Sequence, residues 1–72
     1  MLIVIKISTE EIKLDQFLKF INAVGSGGEA KIVIKEGLVK VNNEQEVRRG
    51  KKIKAGDIIE FGDIKYKIEK NI

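Results

Sequence analysis

The 72 residues contain no cysteine, no histidine and no proline. Without cysteine there is no disulfide and no cysteine-ligated zinc, and nothing calls for an oxidising compartment. The expected location is therefore the cytoplasm. Without histidine the commonest general base and metal ligand is missing. Hydroxyl side chains are few: Ser8, Thr9, Ser26 and Tyr66. No histidine or cysteine stands by to activate or replace them, so an enzyme is not expected, nor a cofactor or metal. Aromatic residues are scarce as well, at 6%. That argues against a stacking platform for single strands. No apolar run approaches the ~20 residues of a membrane span. The N-terminal "MLIVIKIS" is interrupted by a lysine and lacks a small-residue cleavage site, so neither a signal peptide nor a membrane partner is expected.

What remains reads as one small folded domain, residues 1–72, without linker or repeat. "MLIVIKI" predicts a strand over Leu2 to Ile7. Ser8, Thr9, Glu10 and Glu11 suit a helix N-terminus. Leu14, Phe17, Leu18, Ile21 and Val24 then recur at helical spacing, predicting a helix from about Lys13 to Val24 that ends at Gly25. Almost at once a second helix is expected. Ser26 and Glu29 form a capping box, Ala30, Val33 and Ile34 a buried stripe, and Gly37 a stop. From Leu38 the period becomes two. "LVKV" predicts a strand, "NNE" a turn and "QEV" a short return strand, followed by a basic loop. "AGD" is a turn, "IIEF" a strand with Phe61 in the core, "GD" a hairpin loop and "IKYKI" the last strand. The expected fold is α+β, a two-helix pair packed on a small, mostly antiparallel sheet.

Charge is distributed unevenly. There are 14 basic and 11 acidic side chains, net +3. Taking away Arg48, Arg49, Lys51, Lys52 and Lys54 leaves −2, so the excess sits in one segment. Both arginines are there, side by side, and no acid lies between Arg48 and Lys54. Arginine binds phosphate through a planar fork that lysine lacks. A nucleic-acid backbone is the simplest partner for such a patch, and a solvated lysine-rich loop is the bland alternative. Lys31 and Lys35 stand one turn apart on the second helix and could be an ordinary wet face, as could Lys19. Gly27 and Gly28 fall on the first helical residues. They either permit a tight helix–helix turn or let a phosphate approach free amides, against the charge of Glu29. Asp15, Asp57 and Asp63 suit helix-start and turn positions rather than a metal.

The order of these pieces resembles a known family. Leu14-Asp15 with Leu18 is followed by Ser26, Ala30, Val33, Ile34 and Gly37. Val39, Val41 and Asn42 come next, then Gly56-Asp57 and Ile59. Over residues 12–61 this pattern is similar to the αL-type RNA-binding domain named after ribosomal protein S-four. "GGEAK" and "RRGKKI" resemble its stand-alone YaaA-like group of small bacterial proteins. The resemblance implies an αL motif, binding of structured ribosomal RNA or ribosomal particles, and help in maturing the large subunit. It implies RNA contacts by Lys31, Lys35, Arg48, Arg49, Lys51 and Lys52, with Gly27 and Gly28 as backbone candidates. Two departures stand out. Many members carry arginine after the serine, where this chain has Gly27 and Gly28, and the hairpin turn is Asn42-Asn43 rather than Asn-Gly. The expectation is a monomeric RNA-binding module recognising RNA shape. About five phosphate contacts would give a log–log salt slope of roughly −3.5 to −4.5. The competing expectation is a protein-interaction module that docks its basic loop on an acidic partner.

Overall fold

The computed structural model describes residues 1–71. Strand β1 is Leu2–Ile7, as expected from its β-branched run. Ile3, Ile5 and Ile7 turn inward while Leu2 and Val4 stay exposed. The chain does not enter a helix next. Glu11–Lys13 forms a short strand, β2, and helix α1 covers only Leu14–Phe20. Ser8 and Thr9 therefore do not cap a helix. The Thr9 hydroxyl donates to the Glu11 carbonyl at 2.9 Å. Lys13 holds the N-cap position with no side-chain cap bond.

Helix α1 also stops earlier than Gly25. Asn22 takes a left-handed conformation, φ 59°. Its amide donates to the Lys19 carbonyl and the Ala23 amide to the Leu18 carbonyl, both at 3.0 Å. This paired closure satisfies the Lys19 and Leu18 carbonyls, and asparagine tolerates the conformation better than most residues. Val24 is buried beyond the helix end. A connector of residues 21–26, longer than the sequence suggests, leads to helix α2, Gly27–Lys35. Ser26 caps it: its Oγ accepts from the Glu29 amide at 3.2 Å. Glu29 reaches back to the Gly25 amide at 2.6 Å, one residue before the reciprocal bond of a standard capping box. Gly37, φ +78°, ends α2 with the same paired closure through the Ile34 and Val33 carbonyls. A Cβ there would also push aside the Gln45 amide, which donates to the Gly37 carbonyl at 2.9 Å.

The remaining strands are β3 (Val39–Val41), β4 (Glu44–Gln45), β5 (Lys52–Lys54), β6 (Ile58–Phe61) and β7 (Ile64–Lys70). The main sheet runs β1-β7-β6-β3-β4. Among the described residues only β1 and β7 pair in parallel. A second, two-stranded sheet pairs β2 with β5, Ile12 opposite Ile53. Part of the segment expected as a loop is thus a strand, because Ile53 is fully buried and Lys52 and Lys54 alternate outward. The architecture is α+β: two helices on a mostly antiparallel five-stranded sheet.

One core joins the layers. Phe17, Leu14 and Leu18 of α1 meet Ile34 of α2, Ile53 of β5, and Val39, Ile59 and Ile68 of the main sheet, all fully buried. Phe17 packs edge-on against Tyr66, ring centres 6.2 Å apart at 79°. Val33 and Phe61, both expected inside, are only partly buried at its margin. Helices cover the face of β7 that carries Tyr66 and Ile68, so Lys65 and Lys67 point away from them.

The β3–β4 turn replaces Asn-Gly with two asparagines, both left-handed (Asn42 φ 52°, Asn43 φ 71°). Asn42 has a further duty. Its Oδ1 accepts from the Ile58 amide at 2.9 Å and its Nδ2 donates to Asp57 Oδ1 at 3.1 Å. Asp57 Oδ2 accepts from the Lys54 amide at 2.9 Å. Asp57 is thereby committed to the turn before β6, and Asp15 to the first turn of α1 through the Gln16 amide at 2.8 Å. Asn42→Ala should lower stability by about 1–3 kcal/mol, since it forfeits both side-chain bonds and strains a left-handed position. Chemical denaturation with an unchanged m-value checks this.

Candidate nucleic-acid interface

The basic loop is held from below by its own backbone. Helix α1 has no side-chain cap, and its first amides turn to the loop instead. The Leu14 amide donates to the Lys51 carbonyl at 2.8 Å, and the Asp15 amide to the Arg49 carbonyl at 3.1 Å. The β2–β5 ladder ties down the following residues. The loop's carbonyls are thus occupied inward while Arg48, Arg49 and Lys52 are exposed and Lys51 is partly so.

Side chains alternate along the stretch that enters this loop. Glu46 and Arg48 face one concavity, while Val47 and Arg49 face another. The two concavities differ in charge. The larger, about 480 Å³, is lined by Arg48, Lys51, Lys52 and Lys54. Glu11, Glu44, Glu46 and Asp57 line it too, so its charges cancel. The smaller, about 390 Å³, is lined by Lys31, Lys35, Val47 and Arg49, with no acid. The two adjacent arginines therefore belong to different sites. Helix and loop do converge, but through Lys31, Lys35 and Arg49 only.

Pairing sharpens the division. Arg48 Nε lies 3.0 Å from Glu46 Oε2 and Nη2 3.3 Å from Oε1, while the Arg48 amide donates to Oε2 at 3.0 Å. Lys52 reaches Glu11 at 3.5 Å, an exposed and weak pair. No acid interrupts the basic segment, but acids from outside it supply these partners. Lys70 pairs with Glu10. Among the described residues, Lys31, Lys35 and Arg49 form no ion pair.

The Arg48 hydrogen bond, opposed by partial desolvation, holds the Glu46 carboxyl below the ordinary glutamate range. A lowered carboxyl contributes stability above its unfolded value, about 4.3, and loses it as pH falls through the folded value. Glu46→Gln should therefore flatten the acid limb of stability below about pH 4.3, measured as denaturation midpoint against pH. It also frees Arg48. If RNA binds here, affinity at ~0.1 M salt should rise about fivefold and the salt slope steepen by roughly 0.7–0.9.

Gly27 and Gly28 lie at the start of α2, exposed, neither with positive φ. A Cβ on Gly28 would meet Ser26 Oγ at 3.8 Å, and one on Gly27 would meet Lys19 Nζ at 3.9 Å, both ordinary contacts. The connector's shape does not demand glycine at either place. Gly27, Lys31 and Lys35 follow at intervals of four, which puts them on one face of α2. Lys19 extends that face from α1. Its position comes from helix–helix packing, for which spacing along the chain carries no signal. Val47 was expected as the end of the "QEV" return strand, but β4 stops at Gln45 and Val47 lies beyond it, 53% exposed; no periodicity marks it as part of a site. Gly28→Ala should stabilise the protein by about 0.5–1 kcal/mol, read from thermal unfolding. A parallel loss of RNA affinity would identify backbone approach at that amide.

Phe20 is 58% exposed on α1, and Tyr66 is committed to the core, so the few aromatic rings do not form a surface row. Among the described residues no three Asp, Glu, His or Cys side chains come together in a metal-binding group, and no helix is long and apolar enough to cross a membrane.

Comparison with known proteins bears on the fold and the family. A solved structure of 30S ribosomal protein S4e from Thermoplasma acidophilum shares the fold, with TM-score 0.62 and 20% identity over 83% of this chain. The chain spans about a third (32%) of that protein's length. A Bacillus subtilis (strain 168) protein named "Probable ribosome maturation protein RlbA" is 48% identical over 57 residues, which cover 79% of this chain and 80% of the relative. The S4 domain family pattern matches residues 5–69. With nearly its whole length matched, the chain belongs to the S4 domain family.

Proposed function

We propose that the protein binds structured ribosomal RNA without catalysis and assists maturation of the ribosome, at the large subunit. Convergence of Lys31, Lys35 and Arg49 on one groove, unpaired among the described residues and free of lining acids, carries this reading. The name of the Bacillus relative and the family membership support it. In this reading α1, α2 and the β3–β4 hairpin form an αL motif that presents α2 and the loop to the RNA.

Lys31, Lys35 and Arg49 hold the primary phosphates. Gly27 and Gly28 let the backbone approach another, with Lys19 beside it. Lys51 and Lys52 are secondary, because carboxylates share their concavity, and Arg48 contributes little while Glu46 holds it. Three primary contacts give a log–log salt slope of about −2 to −3, shallower than five would give. Shape rather than sequence is read, and the protein acts as a cytoplasmic monomer.

Sedimentation of the tagged protein through a sucrose gradient of cell extract tests the proposal. Co-migration with precursors of the large subunit, abolished by nuclease, is expected. Association that survives nuclease treatment would point instead to an acidic protein partner on the basic loop.

A further inference from the structure

We infer that the groove between α2 and the basic loop receives one unstacked RNA base, so that the preferred RNA carries a bulge or internal loop. The inference rests on the RNA reading above and specifies the ligand at that site. Phosphates alone need cations and no apolar floor. This groove has both: Val47 is 53% exposed and shares the groove with Lys31, Lys35 and Arg49. Exposing a valine in a small charged domain forgoes its burial, and a base covering it would recover that.

The valine is not on a loose tether. On one side the Glu46 amide donates to the Val39 carbonyl at 3.0 Å. On the other the Arg48 amide donates to the Glu46 carboxylate at 3.0 Å. Arg49 forms no ion pair among the described residues, so its guanidinium plane can stack on a base. The lysine stems add apolar wall while their ammonium groups meet the flanking phosphates. The larger concavity does not offer this combination, because its four carboxylates would face the same phosphates.

The test uses two RNA hairpins of equal length and charge, one fully paired and one with a single bulged 2-aminopurine. The wild-type protein should bind the bulged hairpin about tenfold more tightly, a difference typical of one stacked base. Fluorescence of the bulged base should change on binding. Val47→Ser should erase the fluorescence change and bring affinity for the bulged hairpin down to that for the paired one, with the salt slope of the two still equal. Equal binding of both hairpins by wild type would overturn the base site and leave RNA binding intact. A preference that persists in Val47→Ser would remove the base from this groove. Failure of wild type to bind either hairpin would overturn the RNA reading itself.

Discussion

Replacing Lys31, Lys35 and Arg49 together by alanine should weaken RNA binding by about two orders of magnitude at ~0.1 M salt. Each neutralised phosphate contributes roughly 0.7–0.9 to the log–log slope. Measured against ~1 M salt, the same figure is about 0.7–0.9 decades of affinity at ~0.1 M, so three contacts give roughly two decades and a slope reduced by 2 to 3. All three side chains are on the surface and unpaired among the described residues, so the fold should tolerate the change. Arg48→Ala alone should alter affinity by less than about twofold, because Glu46 already offsets that charge. The contrast between neighbouring arginines is what a uniformly basic loop would not produce. Equal losses for Arg48→Ala and Arg49→Ala would remove the division into two concavities.

Phe17→Ala should bring the domain close to unfolding. Deleting a fully buried phenylalanine costs about 3–5 kcal/mol. Losing its edge-to-face partner Tyr66 adds about 0.5–1.5 kcal/mol. A chain of this length has in total only about 4–11 kcal/mol. At roughly 4–8 °C per kcal/mol, the melting temperature should drop by more than about 12 °C. Phe20→Ala, three residues on, should change stability by less than about 0.5 kcal/mol, because that ring is 58% exposed. Differential scanning calorimetry of the two variants separates them. The comparison also bears on the site, since α1 is the element whose amides hold the Arg49 and Lys51 carbonyls.

Elements with an uninterrupted pattern were legible in the sequence. The β-branched run of β1, the Ser26 cap of α2, the Gly37 stop and the alternation of β7 each carry a local cause, and each is where that cause predicts. The β2–β5 pair was not legible. Its strands are three residues each and far apart in sequence, and they form because Ile12 and Ile53 meet over the core. Acidic residues at Glu10 and Glu11 imitate a helix start, but the first amides of α1 find their acceptors in the distant loop. Asn22 ended α1 before Gly25 could, since asparagine also accepts left-handed geometry.

The site was legible as composition and less so as arrangement. The sequence points to a set of candidate cations, and spacing alone does not tell which of them meet. Alternation along Glu46, Val47, Arg48 and Arg49 sends adjacent arginines to different concavities, which a count of charges in a window cannot register. The partners of Arg48 and Lys52 come from outside the basic segment, Glu46 just before it and Glu11 from a strand not foreseen.

Titration of structured ribosomal RNA into isotopically labelled protein, followed by amide chemical shifts, probes the docking surface directly. The largest shifts should fall on Gly27, Gly28, Lys31, Lys35, Val47 and Arg49, with Lys65 and Lys67 on the far side of the sheet unmoved. Shifts concentrated on Lys65 and Lys67, or confined to the residues around Arg48 and Lys52, would contradict the account.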